Sequence, residues 1–403
     1  RIQRSELVPQ IGINGTETAQ RTPDSLSTSG TGGVSHAYGL NVGVSTYELD
    51  LFGRLRSLNE EALQTFLATE ETRRATHISL IADVASRYLA LAADRDLARL
   101  AQDTLASRQR SYDLQAERNR VGNLSIVELH QAETELEAAR ADALTADNQI
   151  ANDRNALELL VGAPLPPDLL PREGSLTAML GVREIPAGLP SDLLRQRPDI
   201  LAAEHPLIGA NANIGAARAA FFPSISLTAD IGRASNELSG LFDHGGRSWN
   251  FAPQITLPIF SGGRLQAQLD VSKADRDIAL AQYEQAIQSA FRDVADALAQ
   301  RSVVQGQVAA QRKRANAAQA AYGLVSARYE NGVTGYLDVL DAQRSLYAAQ
   351  QTLIQTELSQ QTSLVTLYKA LGGGWSEPPE NDRARTGEPD GSNDSKTRSP
   401  DFL

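Results

Sequence analysis

The 403-residue sequence has no cysteine. Disulfides, thiolate metal sites and cysteine nucleophiles are excluded together, and the redox compartment is left open. It also lacks any run of 18 apolar residues, which excludes a membrane-spanning helix. Basic residues are too few to neutralise nucleic acid in bulk, because the formal charge is −11. Histidine is sparse as well. His36, His77, His130, His205 and His244 fall in unrelated segments, and none forms a His-x-x-x-His or His-Glu pair. No constellation for catalysis, metal or cofactor emerges, so the chain reads as a non-enzyme. Gly372-Gly373-Gly374 follows a helical pattern and precedes no strand–helix unit, so it reads as a helix end and not a phosphate loop.

Two long stretches are nearly free of helix breakers. Residues 54–121 contain neither Gly nor Pro, and 264–330 contain only Gly306 and Gly323. Each predicts one helix, roughly 100 Å long at the standard rise per residue. The stretches are copies. Gly53-Arg54-Leu55 recurs as Gly263-Arg264-Leu265, and 263 minus 53 is 210; Asp83-Val84-Ala85 recurs at the same offset as Asp293-Val294-Ala295. A constant offset marks an internal tandem repeat.

The repeat sets the domain boundaries. The first copy, 1–161, holds strands 8–19 and 38–48 and helices 54–121 and 124–161. A Pro- and Gly-rich segment, 162–190, follows. The second copy, 191–375, holds helix 191–220, strands 224–231 and 249–259, and helices 264–330 and 336–371. The first copy has no counterpart of helix 191–220, so the sequence is expected to begin within an element. Residues 376–403 are polar and charged and read as a disordered tail.

The shorter helices carry small or apolar residues alternately three and four apart. These are Leu129, Ala132, Leu136, Ala139 and Ala143 in the first, and Val339, Ala342, Leu346, Ala349 and Leu353 in the second. That spacing predicts antiparallel coiled coils with the long helices. Helices 124–161 and 191–220 together match one long helix in length and are expected to stack end to end beside it.

The strands alternate between an apolar and a polar face: Tyr38, Leu40, Val42 and Val44 against Gly39, Asn41, Gly43 and Ser45, for example. A soluble β-sandwich stalked on coiled coils is one reading. The pairing of such strands with very long helices, twice over, favours a membrane barrel with aromatics at its interfaces. Four strands cannot close, so copies must share a barrel, and a polar interior favours three chains over two.

Several segments resemble the outer-membrane factor (TolC-like) family, in particular its OprM-type lipoprotein branch. They are Tyr47-Glu48-Leu49-Asp50-Leu51-Phe52-Gly53-Arg54, Arg197-Pro198-Asp199-Ile200, Gly215 to Ile225, Leu340-Asp341-Ala342-Gln343-Arg344 and Leu371-Gly372-Gly373-Gly374-Trp375. The resemblance runs from Arg1 to about Trp375. It implies a homotrimer with a 12-stranded β-barrel, four strands per chain, in the outer membrane of a Gram-negative bacterium. The barrel would continue into a periplasmic tunnel of α-helical coiled coil. The function implied is the exit duct of a tripartite multidrug efflux pump, with a periplasmic adaptor protein and an inner-membrane proton-driven (RND-type) transporter as partners. Contact with outer-membrane lipid and an acylated, palmitate-bearing cysteine upstream are implied too. A periplasmic adaptor or a structural coiled-coil protein is the alternative; an adaptor would carry one hairpin, without duplicated strand pairs.

A duct needs closure. The turns at 121–125 and 331–336 are expected at the far end of the long helices from the strands. Just beyond the second turn, Leu337, Asp341 and Arg344 share one helical face. Under three-fold symmetry they would form rings about the axis, with Arg344 offsetting the aspartates by pairing with one. The first copy has Val127, Gln131 and Thr134 at these positions. An ordinary solvated ion pair would serve equally in both copies, so the difference favours a gate. The resemblance assigns Leu337, Asp341 and Arg344 to the family's periplasmic constriction. It matches Arg328, Tyr329 and Glu128 to a latch between neighbouring coiled coils, with Glu128 standing where the family pattern has Asp.

Overall fold

In a computed structural model of the chain, residues 2–23, 25, 32–172, 174, 176, 197–243 and 245–373 are described. Most of the connecting segment 162–190, residues 191–196 of the helix read from 191, the tail 376–403 and His244 lie outside the described residues. The order is a single helical turn α1 (Ile2–Ser5), β1 (Ile11–Thr22), β2 (Gly33–Leu49), α2 (Arg54–Arg120), α3 (Ile126–Val161), α4 (Pro198–Ala219), β3 (Ser224–Ser235), β4 (Arg247–Thr256), α5 (Arg264–Glu330) and α6 (Tyr336–Ala370).

The described chain divides into two compact units that run across the tandem copies and do not follow them. One is Arg1–Arg73 with Pro198–Ser289, the other Arg74–Arg197 with Ala290–Leu403. The physical reason is helix length: α2 and α5 each begin in one unit and end in the other, so each copy contributes to both.

The first unit holds one antiparallel sheet in the order β1-β2-β3-β4. The strands pair in sequence order, with Ile13 opposite Val42, Val42 opposite Ile231 and Ile231 opposite Trp249. A bulge between Val44 and Tyr47 shifts the β2–β3 register. Approach at this pairing is so close that a side chain on Gly43 would strike the Ala229 carbonyl, and one on Gly232 the Leu40 carbonyl. Among the described residues β1 and β4 are edges, each paired on one side only. The strands depart from the sequence reading at their ends: β1 starts at Ile11 and not at residue 8 and runs on to Thr22, β2 starts at Gly33 and not at Tyr38, β3 runs on to Ser235, and β4 starts at Arg247 but stops at Thr256, short of 259. Ladder hydrogen bonds extend a hairpin beyond the residues whose pattern announces it.

Within the same unit α4 lies along the start of α2. Gly209 sits against Gln64, His205 Nδ1 is 2.6 Å from Gln64 Oε1, and Asn213 donates to Glu61 at 2.8 Å. The second unit is a helical bundle whose seam is the expected one-sided stripe. Ala132, Leu136, Ala139 and Ala143 of α3 are buried, as are Val339, Leu346 and Ala349 of α6. Small residues at these places let helix axes approach closely.

Both hairpin turns are built alike. Gly122 and Gly332 adopt φ of 79° and 71°, the left-handed region that costs other residues a Cβ clash. The following amides, Asn123 and Val333, reach back to the carbonyls of Arg118 and Arg328 at 2.8 and 2.9 Å. The helices leaving the turns start differently. Ser125 and Glu128 form a capping box on α3, whereas α6 starts at Gly335 without a side-chain cap. At its other end α6 closes with Gly372 at φ 73° and Gly373 donating to the Tyr368 carbonyl, a helix terminus as expected.

Candidate gate at the hairpin turns

The second unit contains a connected polar cluster beside its two turns. At its centre is Glu135 of α3. Its Oε1 accepts from Arg344 Nε at 2.8 Å, and its Oε2 lies 3.2 Å from Arg108 Nη2. The side chains of Arg108 and Glu135 are only 5% and 12% exposed. Burial disfavours the charge on Arg108 and lowers its pKa; the Glu135 carboxylate counteracts this and holds the Arg344 guanidinium above its usual value. Within one chain the hydrogen-bonded partner of Arg344 is Glu135, and Asp341 acts on it through space. Arg344 reaches across to α3, because the largely buried Glu135 carboxylate is less screened by water than the exposed Asp341 on its own helix.

Asp341 is left exposed, without a hydrogen bond or ion pair among the described residues, and Leu337 beside it is 58% exposed. The gate residues thus split. Leu337 and Asp341 face away from the chain's own bundle, while Arg344 is held to it.

Around Tyr329 lies a second network. Its hydroxyl accepts from Arg118 Nη1 at 2.7 Å and from Gln115 Nε2 at 2.9 Å, and the Arg118 guanidinium carbon is 5.2 Å from the ring centroid. The ring packs on Tyr336, 5.7 Å away and tilted by 47°. Tyr336, Val339 and Leu340 form a buried cluster with Ala132, flanked by Tyr112, Tyr322, Val325 and Tyr329. Glu128 spends its carboxylate on the α3 cap, accepting from the Ser125 amide at 3.4 Å. Within one chain, then, Tyr329 is tied to α2 and not to Glu128. Arg328 is exposed and has no partner among the described residues.

Glu135, Arg108, Gln115 and Arg118 were missed from sequence. The signal existed in the repeat: at an offset of 210 (344 minus 134), Glu135 faces Ser345 and Arg108 faces Ala318. The same comparison marks a pair in the bundle. Asp94 of α2 lies beside Asp153 of α3, where the second copy has Val304 and Ser363. Burial and then the Asp153 carboxylate raise Asp94 to about 7. Arg87 lies 4.0 Å from Asp153.

Histidines make local contacts, such as His130 with Glu133 at 3.0 Å and His36 with Glu17 at 3.5 Å. Among the described residues no group of three or more His, Cys, Asp and Glu could hold a metal ion.

The chain matches the family model for outer membrane efflux protein over residues 1–163 and 189–373. A probable efflux pump outer membrane protein, TtgC of Pseudomonas putida, is 49% identical over 378 residues, covering 94% of this chain and 78% of the relative. Outer membrane protein OprJ of Pseudomonas aeruginosa is 45% identical over 379 residues, with the same coverage of 94% and 78%. Among solved structures, the open state of the Neisseria gonorrhoeae MtrE outer membrane channel superposes with a TM-score of 0.82 at 44% identity, covering 93% of this chain and 82% of that one.

Proposed function

This chain belongs to the outer membrane efflux protein family, and on that premise we propose that three copies form one passive duct, gated at its periplasmic tip. It is an outer-membrane efflux channel protein of a Gram-negative bacterium, and the family match sets aside the adaptor and scaffold readings. The observation that carries the trimer is the open sheet. β1 and β4 each leave one edge unpaired, and bilayer hydrocarbon does not tolerate unpaired backbone. Two chains would give an eight-stranded barrel filled by its own side chains; three give twelve strands and room for a lumen. The duct is the outer component of a tripartite pump, working with a periplasmic adaptor and a proton-driven transporter.

In the closed state Leu337 and Asp341 of three chains ring the axis. A leucine ring excludes water, and three aspartates facing one another repel. Glu135 supplies the restraint: by holding Arg344 against Arg108 it keeps α6 on α3. Arg328 serves as the outward half of the latch, toward a carboxylate of the neighbouring coiled coil, while Tyr329 braces it from within through Arg118 and Gln115. Opening swings α6 and the end of α5 away from the axis.

Detergent-purified protein tests the assembly through its mass by light scattering. A trimer that needs detergent is expected; a monomer soluble without it would sink the duct.

A further inference from the structure

The tandem copies also diverge where each strand pair runs into its long helix. In the first copy the two arginines at the start of α2 are matched by acids. Arg54 Nε donates to Glu48 at 2.8 Å and Arg56 Nε to Asp50 at 3.1 Å. Asp50 also accepts the amides of Leu55 and Arg56 at 3.2 and 2.9 Å. In the second copy, at the offset of 210 (264 minus 54), Arg264 is kept but Glu48 becomes Pro258 and Asp50 becomes Phe260. Arg264 is exposed and has no carboxylate partner among the described residues. Beside it Ile259 and Phe260 are each 91% exposed.

Arg264 and Pro258 border a cleft of about 350 Å³ lined also by Thr256, Glu48, Asp50 and Phe222, and the exposed Ile259 and Phe260 follow Pro258 in sequence, outside that lining. One wall is the stacked pair Phe52 and Phe222, 4.9 Å between centroids at 15°. Glu48 and Asp50 line the cleft and are paired with Arg54 and Arg56, whereas Arg264 is an arginine of the lining without a carboxylate partner among the described residues. A lone, uncompensated guanidinium next to two bare apolar side chains, directly after a strand that ends at Thr256, matches a molecule with an anionic head and apolar tails.

We propose that this junction is a binding site for an anionic phospholipid of the membrane around the barrel. Arg264 takes the headgroup phosphate by paired N–H donors, and Phe260 and Ile259 lie among the acyl chains. The site rests on the outer-membrane reading and adds a lipid preference to it. It occurs once per chain, because the first copy closes its own arginines with Glu48 and Asp50.

Native mass spectrometry of the detergent-purified protein tests this, with phosphatidylglycerol and phosphatidylcholine as probes. Wild type is expected to retain phosphatidylglycerol preferentially, and Arg264→Gln to lose about fivefold of that retention at unchanged trimer mass, the scale of one basic group at an anionic surface. Phe260→Ala is expected to weaken retention of both lipids. Lys313→Gln, which removes an exposed cation elsewhere on α5, is expected to leave both unchanged. Equal retention in Arg264→Gln and wild type, or an equal loss in Lys313→Gln, would overturn the site while leaving the duct intact. Dissociation of the Arg264→Gln trimer would also overturn it, by assigning the cleft to a second copy. Wild-type protein that stays monomeric and soluble without detergent would instead overturn the outer-membrane reading beneath it.

Discussion

Glu135 carries the strongest single-residue expectation. Glu135→Gln leaves Arg108 buried without its counter-charge and frees Arg344. A stability loss of about 1–3 kcal/mol is expected, read by thermal or denaturant unfolding, with raised ion conductance in planar bilayers. A conductance equal to wild type would argue that Glu135 is packing, not restraint. Asp94 offers a pH test. Its folded pKa, raised to about 7 from the ordinary 3.8, means that the native chain holds a proton that the unfolded chain has lost. Stability therefore declines as pH rises through that window, and the penalty is complete above it. Asp94→Asn should raise the melting temperature most at pH 8, less at pH 5, and leave it unchanged near pH 3, below the ordinary carboxylate value; the opposite ordering would remove Asp94 as the cause. At this scale the sequence located Leu337, Asp341 and Arg344 by their shared helical face. It did not reveal Glu135 as a partner of Arg344, because a contact between residues 209 positions apart has no local pattern.

Among the elements, the two long helices and the two that follow the glycine turns were legible to within about two residues, whereas the helix read from 191 is seen only from Pro198. The absence of Gly and Pro from 54–121 fixes a helix whatever surrounds it, and the glycine turns end it. The strands were less so. β2 runs from Gly33 to Leu49, well before the alternation that begins at Tyr38, because pairing with β1 extends it. The closest strand crossing makes a sharp prediction. Gly232→Val would drive a side chain into the Leu40 carbonyl and Asn41 of β2. Loss of the heat-modifiable folded species on semi-native gels is expected, whereas Gly33→Val, where a Cβ would meet nothing within 4 Å, should fold normally. In the helical seam, Leu340→Ala removes a side chain only 1% exposed. Its expected cost is about 2–5 kcal/mol, measured by unfolding of the detergent-solubilised protein.

For the whole molecule the decisive property is an open sheet. Edges of β1 and β4 unpaired among the described residues, and the exposed Leu337 and Asp341, support the proposal that further copies complete the duct. Asp341→Ala should therefore change conductance while leaving single-chain stability nearly untouched, since Asp341 makes no hydrogen bond or ion pair within the chain among the described residues. Unchanged conductance in bilayers would remove Asp341 from the gate. By itself the sequence determined the elements, the duplication and the strand count, because periodicity, glycine placement and a fixed offset are local properties of the chain. Only the tertiary structure decided which charges meet. Arg344 found Glu135, Tyr329 found Arg118 and Arg264 found no carboxylate among the described residues, because ion pairing depends on distance in space and on burial, and neither is written in residue spacing.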